Sequence, residues 1–124
     1  MGKRVHVVSR HADYGKTEAF SWKSGEFKDL LESLGCEMCG IEYDYDNFEC
    51  DIDEYEVALS LVKAYKKMGK CKEVEELFDN ANADIDDFED GLEGLGGLDN
   101  VLTSMQAFWN ERDKDSGWIS FSAW

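Results

Sequence analysis

Two long stretches of this chain contain acidic residues and no basic residue. Residues 41–60 hold eight Asp and Glu, and residues 76–100 hold nine, while five lysines are gathered between them in residues 61–75. The whole chain has a formal net charge of −15. Because like charges repel one another in a compact state, the fold has to place these carboxylates at its surface and draw its stability from other residues.

Apolar and aromatic residues are available for that purpose. They make up 43% and 13% of the 124 residues, and this content separates the chain from acidic tails that stay disordered. The length suits one compact domain, residues 1–124. No stretch is long enough to span a bilayer, and the apolar part of the N-terminus, "VHVV", is shorter than a signal peptide requires. We therefore expect a soluble, cytoplasmic protein.

Alternation of apolar and polar residues predicts strands at both ends of the chain and in its middle. Residues 3–9 and 18–22 flank a "DYGK" turn, so they predict an N-terminal hairpin. Residues 40–49 predict a middle strand, and residues 117–124 predict a last strand that returns to the N-terminal sheet. The acidic face of the predicted middle strand consists of Glu42, Asp44 and Asp46.

In the rest of the chain, the helical periodicity of the apolar residues predicts four to five short helices. We predict helix starts at Ser24, at Asp53 with Glu56 as a capping box, near residue 71, near Asp84 and near residue 98. The fold class is therefore α+β, a small antiparallel sheet with a helical segment inserted before its last strand. The predicted core contains Phe27, Leu30, Leu31, Leu34, Ala58, Leu61, Val62, Tyr65, Met68, Val74, Leu77, Phe78, Phe88, Leu92, Leu95, Leu98, Leu102 and Met105, together with Trp22, Tyr43, Tyr45 and Trp109.

No pattern in the chain indicates catalysis. The two histidines lie close together near the N-terminus, no serine sits in a nucleophile motif, and no Gly-rich phosphate loop follows a strand. Residues 82–93 resemble a calcium loop at Asn82, Asp84, Asp86 and Glu93, but Asp87 stands where the turn needs glycine. We interpret that stretch as a capped helix start, and we predict neither enzymatic activity nor a cofactor.

The four cysteines allow two interpretations. Cys36 and Cys39 have the C-x-x-C spacing of zinc and redox sites, but Cys50 and Cys71 lie too far apart to form a second such pair. The simpler interpretation is reduced, partly buried thiols. Metal binding by Cys36 and Cys39 stays open as the alternative.

Charge limits the partners. Nucleic acids and anionic membranes attract basic surfaces, and the chain offers only the short basic stretch "KAYKKMGKCK". The expected partners are cationic: a basic protein, a metal ion or the groove of a nucleic-acid-binding protein. Acidic runs often only keep a protein soluble, but such surfaces usually mix both signs of charge, which residues 41–60 and 76–100 do not.

The spacing of the acidic side chains favours a more specific hypothesis, imitation of nucleic acid. Side chains two apart on a strand are separated by about 6.6 Å, those four apart on a helix by about 6 Å, and two nucleotide steps of one DNA strand advance about 6.8 Å. Rigid rows of carboxylates can therefore stand in for phosphates. The predicted partner-binding residues are Glu42, Asp44, Asp46, Asp51, Asp53, Glu54, Asp84, Asp86, Asp87, Glu89, Asp90 and Glu93.

The N-terminal half resembles antirestriction proteins of the ArdA type. The similarity covers about residues 5–65 and rests on Tyr14 in "DYGK", Trp22 in "FSW" and the acidic–aromatic segments 44–46 and 53–55. The turn lacks the asparagine of the family pattern, and members are usually longer. The resemblance implies a non-catalytic DNA mimic that inhibits type I restriction–modification enzymes, with a homodimer as an open possibility.

Two other functions fit the same charge pattern. An immunity or antitoxin-like protein would use an acidic face to block a basic toxin or nuclease. A structural domain with a solvated acidic surface would have no charged partner at all. Competition with DNA separates mimicry from the structural domain, and a cognate toxin would favour the immunity function.

Overall fold

Five helices and four strands form within residues 3–8, 15–39 and 46–124, the parts of the chain that the computed structural model describes. The α+β class predicted from the sequence is confirmed. In chain order the elements are β1 (Val5–Val8), α1 (Ser24–Ser33), β2 (Met38–Cys39), β3 (Asn47–Asp51), α2 (Ile52–Met68), α3 (Lys72–Asn80), α4 (Ile85–Gly94), α5 (Leu98–Glu111) and β4 (Trp118–Ala123).

The last strand lies inside the sheet. The strand order is β1-β4-β3-β2, and every neighbouring pair is antiparallel. Phe121 of β4 stands opposite Val7 on one side and Phe48 on the other. The predicted return of the C-terminal strand to the N-terminal one is therefore confirmed, and all five helices lie between β1 and β4 in the chain.

The predicted N-terminal hairpin is wrong. Residues 18–22 form no strand; their backbone pairs with β1 in one isolated bridge, between Ala19 and Val5. Phe20 and Trp22 have φ angles of 56° and 60°, in the left-handed region, which interrupts an extended chain. Trp22 is 66% exposed, so its predicted place in the core is also wrong.

The predicted middle strand can be compared only in part, because residues 40–45 lie outside the described ranges. Tyr43 and Tyr45 are among them, so their predicted burial stays a prediction. The described strand, β3, begins at Asn47. The short strand β2, which pairs with it through Met38 and Cys50, was not predicted. A strand of two residues is too short to show alternation.

Aromatic rings fill the space between the helices and the sheet. The ring of Phe27, on α1, lies at the centre, with its centroid 4.7–6.1 Å from those of four other rings. Tyr55, on α2, is fully buried and donates a hydrogen bond from its hydroxyl to the Met105 carbonyl over 2.8 Å. The four rings around Phe27 belong to Phe20, Phe48, Phe108 and Phe121.

Two of the three predicted caps are wrong. Asp51, not Asp53, caps α2, and its Oδ1 accepts from the Asp53 and Glu54 amides at 2.8 and 3.3 Å. The helix follows β3 without a loop, so the cap is the last strand residue. Ser24 lies inside the first turn of α1, and its hydroxyl donates to Asp46 instead. Asp84 caps α4 as predicted, and the glycines at 35 and 69 follow α1 and α2.

Two further core predictions are wrong. Met68 is 42% exposed at the end of α2, and Leu77 is 46% exposed on α3. Each belongs to a helix whose opposite side is buried, and periodicity alone did not show where the buried stripe ends. Five other predicted core residues are half-buried: Tyr65, Leu92, Leu98, Leu102 and Trp109. The remaining predicted helix residues are buried.

Candidate functional site

An acidic cleft runs between α1 and α4. It has a volume of about 530 Å³, and its lining contains six carboxylates and no Lys or Arg among the described residues. Three carboxylates come from each side of the cleft. They belong to Glu26, Asp29 and Glu32 on α1, and to Asp84, Asp87 and Asp90 at the cap and along α4.

The two helices hold these carboxylates in rows. Within each set the acids recur every third residue, a spacing that places side chains on one helix face about 5–6 Å apart. Gly91 lets α4 approach α1 closely, because a Cβ at that position would lie 3.0 Å from Leu30 Cδ1. The Asp84 amide donates to the Ser33 carbonyl over 2.7 Å, which fixes the start of α4 against the end of α1.

Repulsion between the carboxylates acts on Asp87. The negative charge of Asp84 raises the pKa of Asp87, and desolvation and the charge of Asp90 raise it further. A raised pKa means that the folded structure disfavours the charged form of this group. The fold therefore holds negative charges together at an energetic cost that a cationic partner would relieve.

Other acids of the second acidic block, residues 76–100, are paired within the protein. Lys70 reaches Asp86 at 2.9 Å and Glu89 at 3.2 Å, and hydrogen bonds to these two carboxylates raise the pKa of Lys70. The Tyr65 hydroxyl donates to Glu89 over 2.6 Å, so the pKa of Glu89 is lowered first by that bond and then by Lys70. Asp86 and Glu89 therefore pair with Lys70 and do not line the cleft. Glu93, farther along α4, is exposed and is not among the lining residues either.

Acids of the first acidic block, residues 41–60, have several different roles. Asp46 pairs with Lys3 at 2.7 Å, and this hydrogen bond lowers the pKa of Asp46. Asp51 caps α2, as described above. Glu42 and Asp44 lie outside the described residues, so the proposed row of three carboxylates on a strand stays a prediction. Asp53 and Glu54 line a second depression.

This second depression is a groove of about 780 Å³ beside α2 and α3. Val57 and Leu77, which are 47% and 46% exposed, supply apolar surface to its lining. Five carboxylates contribute to the same lining, and Glu32 and Asn82 line both the groove and the cleft. The two acidic blocks therefore meet on adjoining surfaces. The five carboxylates belong to Glu32, Glu37, Asp53, Glu54 and Glu56.

The α1 row was missed by sequence reasoning. Residues 1–40 contain six acids and six bases, so their net charge gives no sign of an acidic surface. Among the described residues no base of this region lines the cleft: Lys28 is buried, and Lys23 lies beside the cleft, 3.8 Å from Glu26. The recurrence of acids at 26, 29 and 32, opposite the apolar face of a predicted helix, was the signal that could have found them.

The cysteines are free thiols with different exposure. Cys36 and Cys50 are buried, Cys71 is half-buried and Cys39 is exposed. A hydrogen bond with Cys36, together with burial, raises the pKa of Cys50. Among the described residues no three His, Cys, Asp or Glu are grouped to hold a metal ion. Cys36 is turned toward the interior, where its Sγ lies 3.6 Å from the Glu54 carbonyl oxygen.

These environments predict a thiol-reactivity order. Because the thiolate is the reactive form, we expect an aromatic disulfide reagent at pH 8 to modify Cys39 first, Cys71 more slowly, and Cys36 and Cys50 only after unfolding. Mass spectrometry of peptides from a time course would identify the modified residues. A Cys39→Ser variant should lose the fastest phase, and rapid labelling of Cys50 in the folded protein would contradict the order.

The calcium-loop alternative is wrong, as the sequence interpretation expected. Residues 85–94 are helical, and Asp84 Oδ1 accepts from the amides of Asp86 and Asp87 at 3.0 and 3.1 Å. A calcium loop would need an irregular chain through these positions. The stretch is a capped helix start.

Comparisons with known proteins find no match for the chain. No family model matches it, and neither a search of curated proteins nor one of solved structures finds a match. In the described part of the chain no helix has the length and apolar character needed to cross a membrane.

Proposed function

We propose that this protein is a non-catalytic inhibitor that imitates nucleic acid and occupies the DNA-binding groove of an enzyme, with a type I restriction–modification enzyme as the target. The acidic cleft between α1 and α4 carries the proposal. Its six carboxylates come from two packed helices, and among the described residues no Lys or Arg lines it, although Lys23 lies 3.8 Å from Glu26 at its edge. The ArdA resemblance supplies the class of target.

The chemistry of the cleft suits Lys and Arg side chains of a partner. Carboxylates accept short, charge-assisted hydrogen bonds from these groups, as phosphates do. Rows spaced by about 5–6 Å approach the axial advance of about 6.8 Å over two nucleotide steps of a DNA strand. Binding would also relieve the repulsion that raises the pKa of Asp87.

The test is inhibition of a purified type I restriction–modification enzyme at fixed salt, with and without excess DNA lacking its recognition site. We expect cleavage to be inhibited and the inhibition to be relieved by the added DNA. Because the attraction is electrostatic, inhibition should also weaken as salt rises. Inhibition that excess DNA leaves unchanged would contradict mimicry, and absence of inhibition would reject this class of target.

Two matched variants test the cleft itself. The variant Asp29→Asn, Asp87→Asn, Asp90→Asn removes three charges from the cleft, and the control Glu75→Gln, Asp79→Asn, Asp115→Asn removes three exposed charges elsewhere. An exposed charge pair contributes about 0.5 kcal/mol, so we expect the cleft variant to lose about tenfold in inhibition. The control should lose much less. Equal losses would show that total charge, not the cleft, determines binding.

An immunity or antitoxin-like function is the second candidate. The apolar groove beside the cleft favours it, because apolar side chains recognise protein rather than the phosphate backbone of DNA. A basic nuclease toxin would then be the partner. Neutralisation of such a toxin, together with no inhibition of the restriction enzyme, would select this function.

A further inference from the structure

The groove beside α2 and α3 has a composition that simple charge imitation does not need. Its lining includes the buried side chains of Leu34 and Leu61, and also Val57 and Leu77, which are each about half exposed. Val57 and Leu77 are two of only five large hydrophobic residues that are exposed in the described part of the chain. Apolar surface gathered in a depression commonly marks a binding site for another molecule.

Charge around this groove restricts what can bind. Five carboxylates line it, and no Lys or Arg does among the described residues. A nucleic acid or an anionic lipid headgroup would be repelled. A purely cationic ligand would leave Val57 and Leu77 exposed. The complementary ligand therefore carries an apolar side chain with positive charges on either side of it.

The groove is fixed in shape before anything binds. Gly35 has a φ angle of 91°, and a Cβ at this position would overlap the carbonyl oxygen of Ala81, so the end of α1 packs directly on the end of α3. The Glu37 amide donates to Glu54 Oε1 over 2.9 Å and holds the next turn of chain against α2. A preformed site loses little free energy to ordering when its ligand binds.

We propose that this groove binds a basic amphipathic segment of the partner protein, with an apolar side chain such as Leu between Val57 and Leu77 and with Lys or Arg opposite the carboxylates. The proposal deepens the proposed function and rests on it only in requiring a cationic protein partner. Because Glu32 and Asn82 line the groove and the cleft, one partner can occupy both. The cleft supplies charge complementarity, and the groove adds recognition of an apolar side chain.

The probe for this proposal is a fluorescein-labelled peptide of about 15 residues, made only of Leu and Lys, with Leu at the spacing of an amphipathic helix. A second peptide with Gln in place of every Leu has the same charge. Fluorescence anisotropy at near-physiological salt measures the affinity of each peptide for the full chain. We expect the Leu peptide to bind at least about tenfold more tightly, as burial of one or two apolar side chains implies.

Three variants locate the binding site. Val57→Thr with Leu77→Gln removes the apolar surface of the groove without changing charge, and both positions are exposed, so the fold should be kept. We expect this variant to bind the Leu peptide about tenfold or more weakly and the Gln peptide unchanged. Met68→Gln, another exposed apolar residue that does not line the groove, is the matched control and should bind both peptides as the parent does. The variant Glu37→Gln, Glu56→Gln removes two charges from the groove and should weaken the binding of both peptides.

The outcomes separate this proposal from the preceding one. Equal affinity of the Leu peptide for the parent and for the Val57→Thr, Leu77→Gln variant would overturn the groove proposal, even if DNA-relieved inhibition of the restriction enzyme is observed. Equal affinity of the Leu and Gln peptides would overturn it as well. Loss of Leu-peptide binding confined to the groove variant supports it, whether or not a type I enzyme is inhibited.

Discussion

Replacing Phe27 with alanine is expected to remove much of the stability of this protein. Phe27 is fully buried, and its ring lies against three rings from the sheet and α5 and against that of Phe20, which precedes α1. Truncation of a buried phenylalanine to alanine costs about 3–5 kcal/mol, since it loses burial and leaves a cavity. The total free energy of unfolding of a small domain is about 5–15 kcal/mol. The urea midpoint should therefore fall by about 2 M.

Equilibrium unfolding by urea, followed by tryptophan fluorescence and by far-UV circular dichroism, measures this effect. Met68→Ala is the control, because it removes a large apolar side chain that is already exposed. Its midpoint should shift by less than about 0.5 M. A similarly small shift for Phe27→Ala would mean that the aromatic cluster does not form the centre of the core.

Replacing Gly35 with alanine is expected to have the second largest effect, and to act on the groove, which Gly35 lines. The position has a φ angle of 91°, which costs a residue with a side chain about 1–3 kcal/mol. The new Cβ would also overlap the Ala81 carbonyl oxygen, so the ends of α1 and α3 would have to separate. We expect a loss above about 2 kcal/mol in the free energy of unfolding, since both costs apply.

Gly69 provides the control for that substitution. Its φ angle, 72°, is also positive, but a Cβ there would have no atom within 4 Å. Gly69→Ala therefore reports the cost of an unfavourable backbone conformation without a steric overlap. Weaker binding of the Leu and Lys peptide by Gly35→Ala, with unchanged binding by Gly69→Ala, would be the accompanying result. A loss of less than about 1 kcal/mol for Gly35→Ala would argue against a rigid contact between α1 and α3.

Local patterns were enough to predict much of the fold. The helix periodicities, the Asp84 cap and the glycines after α1 and α2 depend on residues that are neighbours in the chain. The return of β4 to β1 was predicted as well. The failures depend on distant contacts: the extended pattern at 18–22 is broken by the left-handed residues Phe20 and Trp22, and the cap of α2 moved to Asp51 because β3 leads straight into that helix.

Only half of the cleft was visible in the sequence. Asp84, Asp87 and Asp90 lie in a block without bases, whereas the facing row on α1 comes from a region of zero net charge. Lysines distant in sequence also changed the outcome, because Lys3 pairs with Asp46 and Lys70 with Asp86 and Glu89. Charge summed along a chain does not show which charges meet in space. Leu77, predicted to be buried, became part of a candidate binding surface for the same reason.

The central position of β4 has a consequence for synthesis of the protein on the ribosome. β1 and β3 are made early, but their shared neighbour is the last element in chain order. At about 5–20 residues per second, the interval between the synthesis of β1 and that of β4 is roughly 5–20 s. The helices can form locally during that time, while the edges of β1 and β3 that β4 later covers stay unpaired. Until β4 is made, repulsion between the acidic residues 41–60 and 76–100 of neighbouring nascent chains opposes pairing of these edges with other chains.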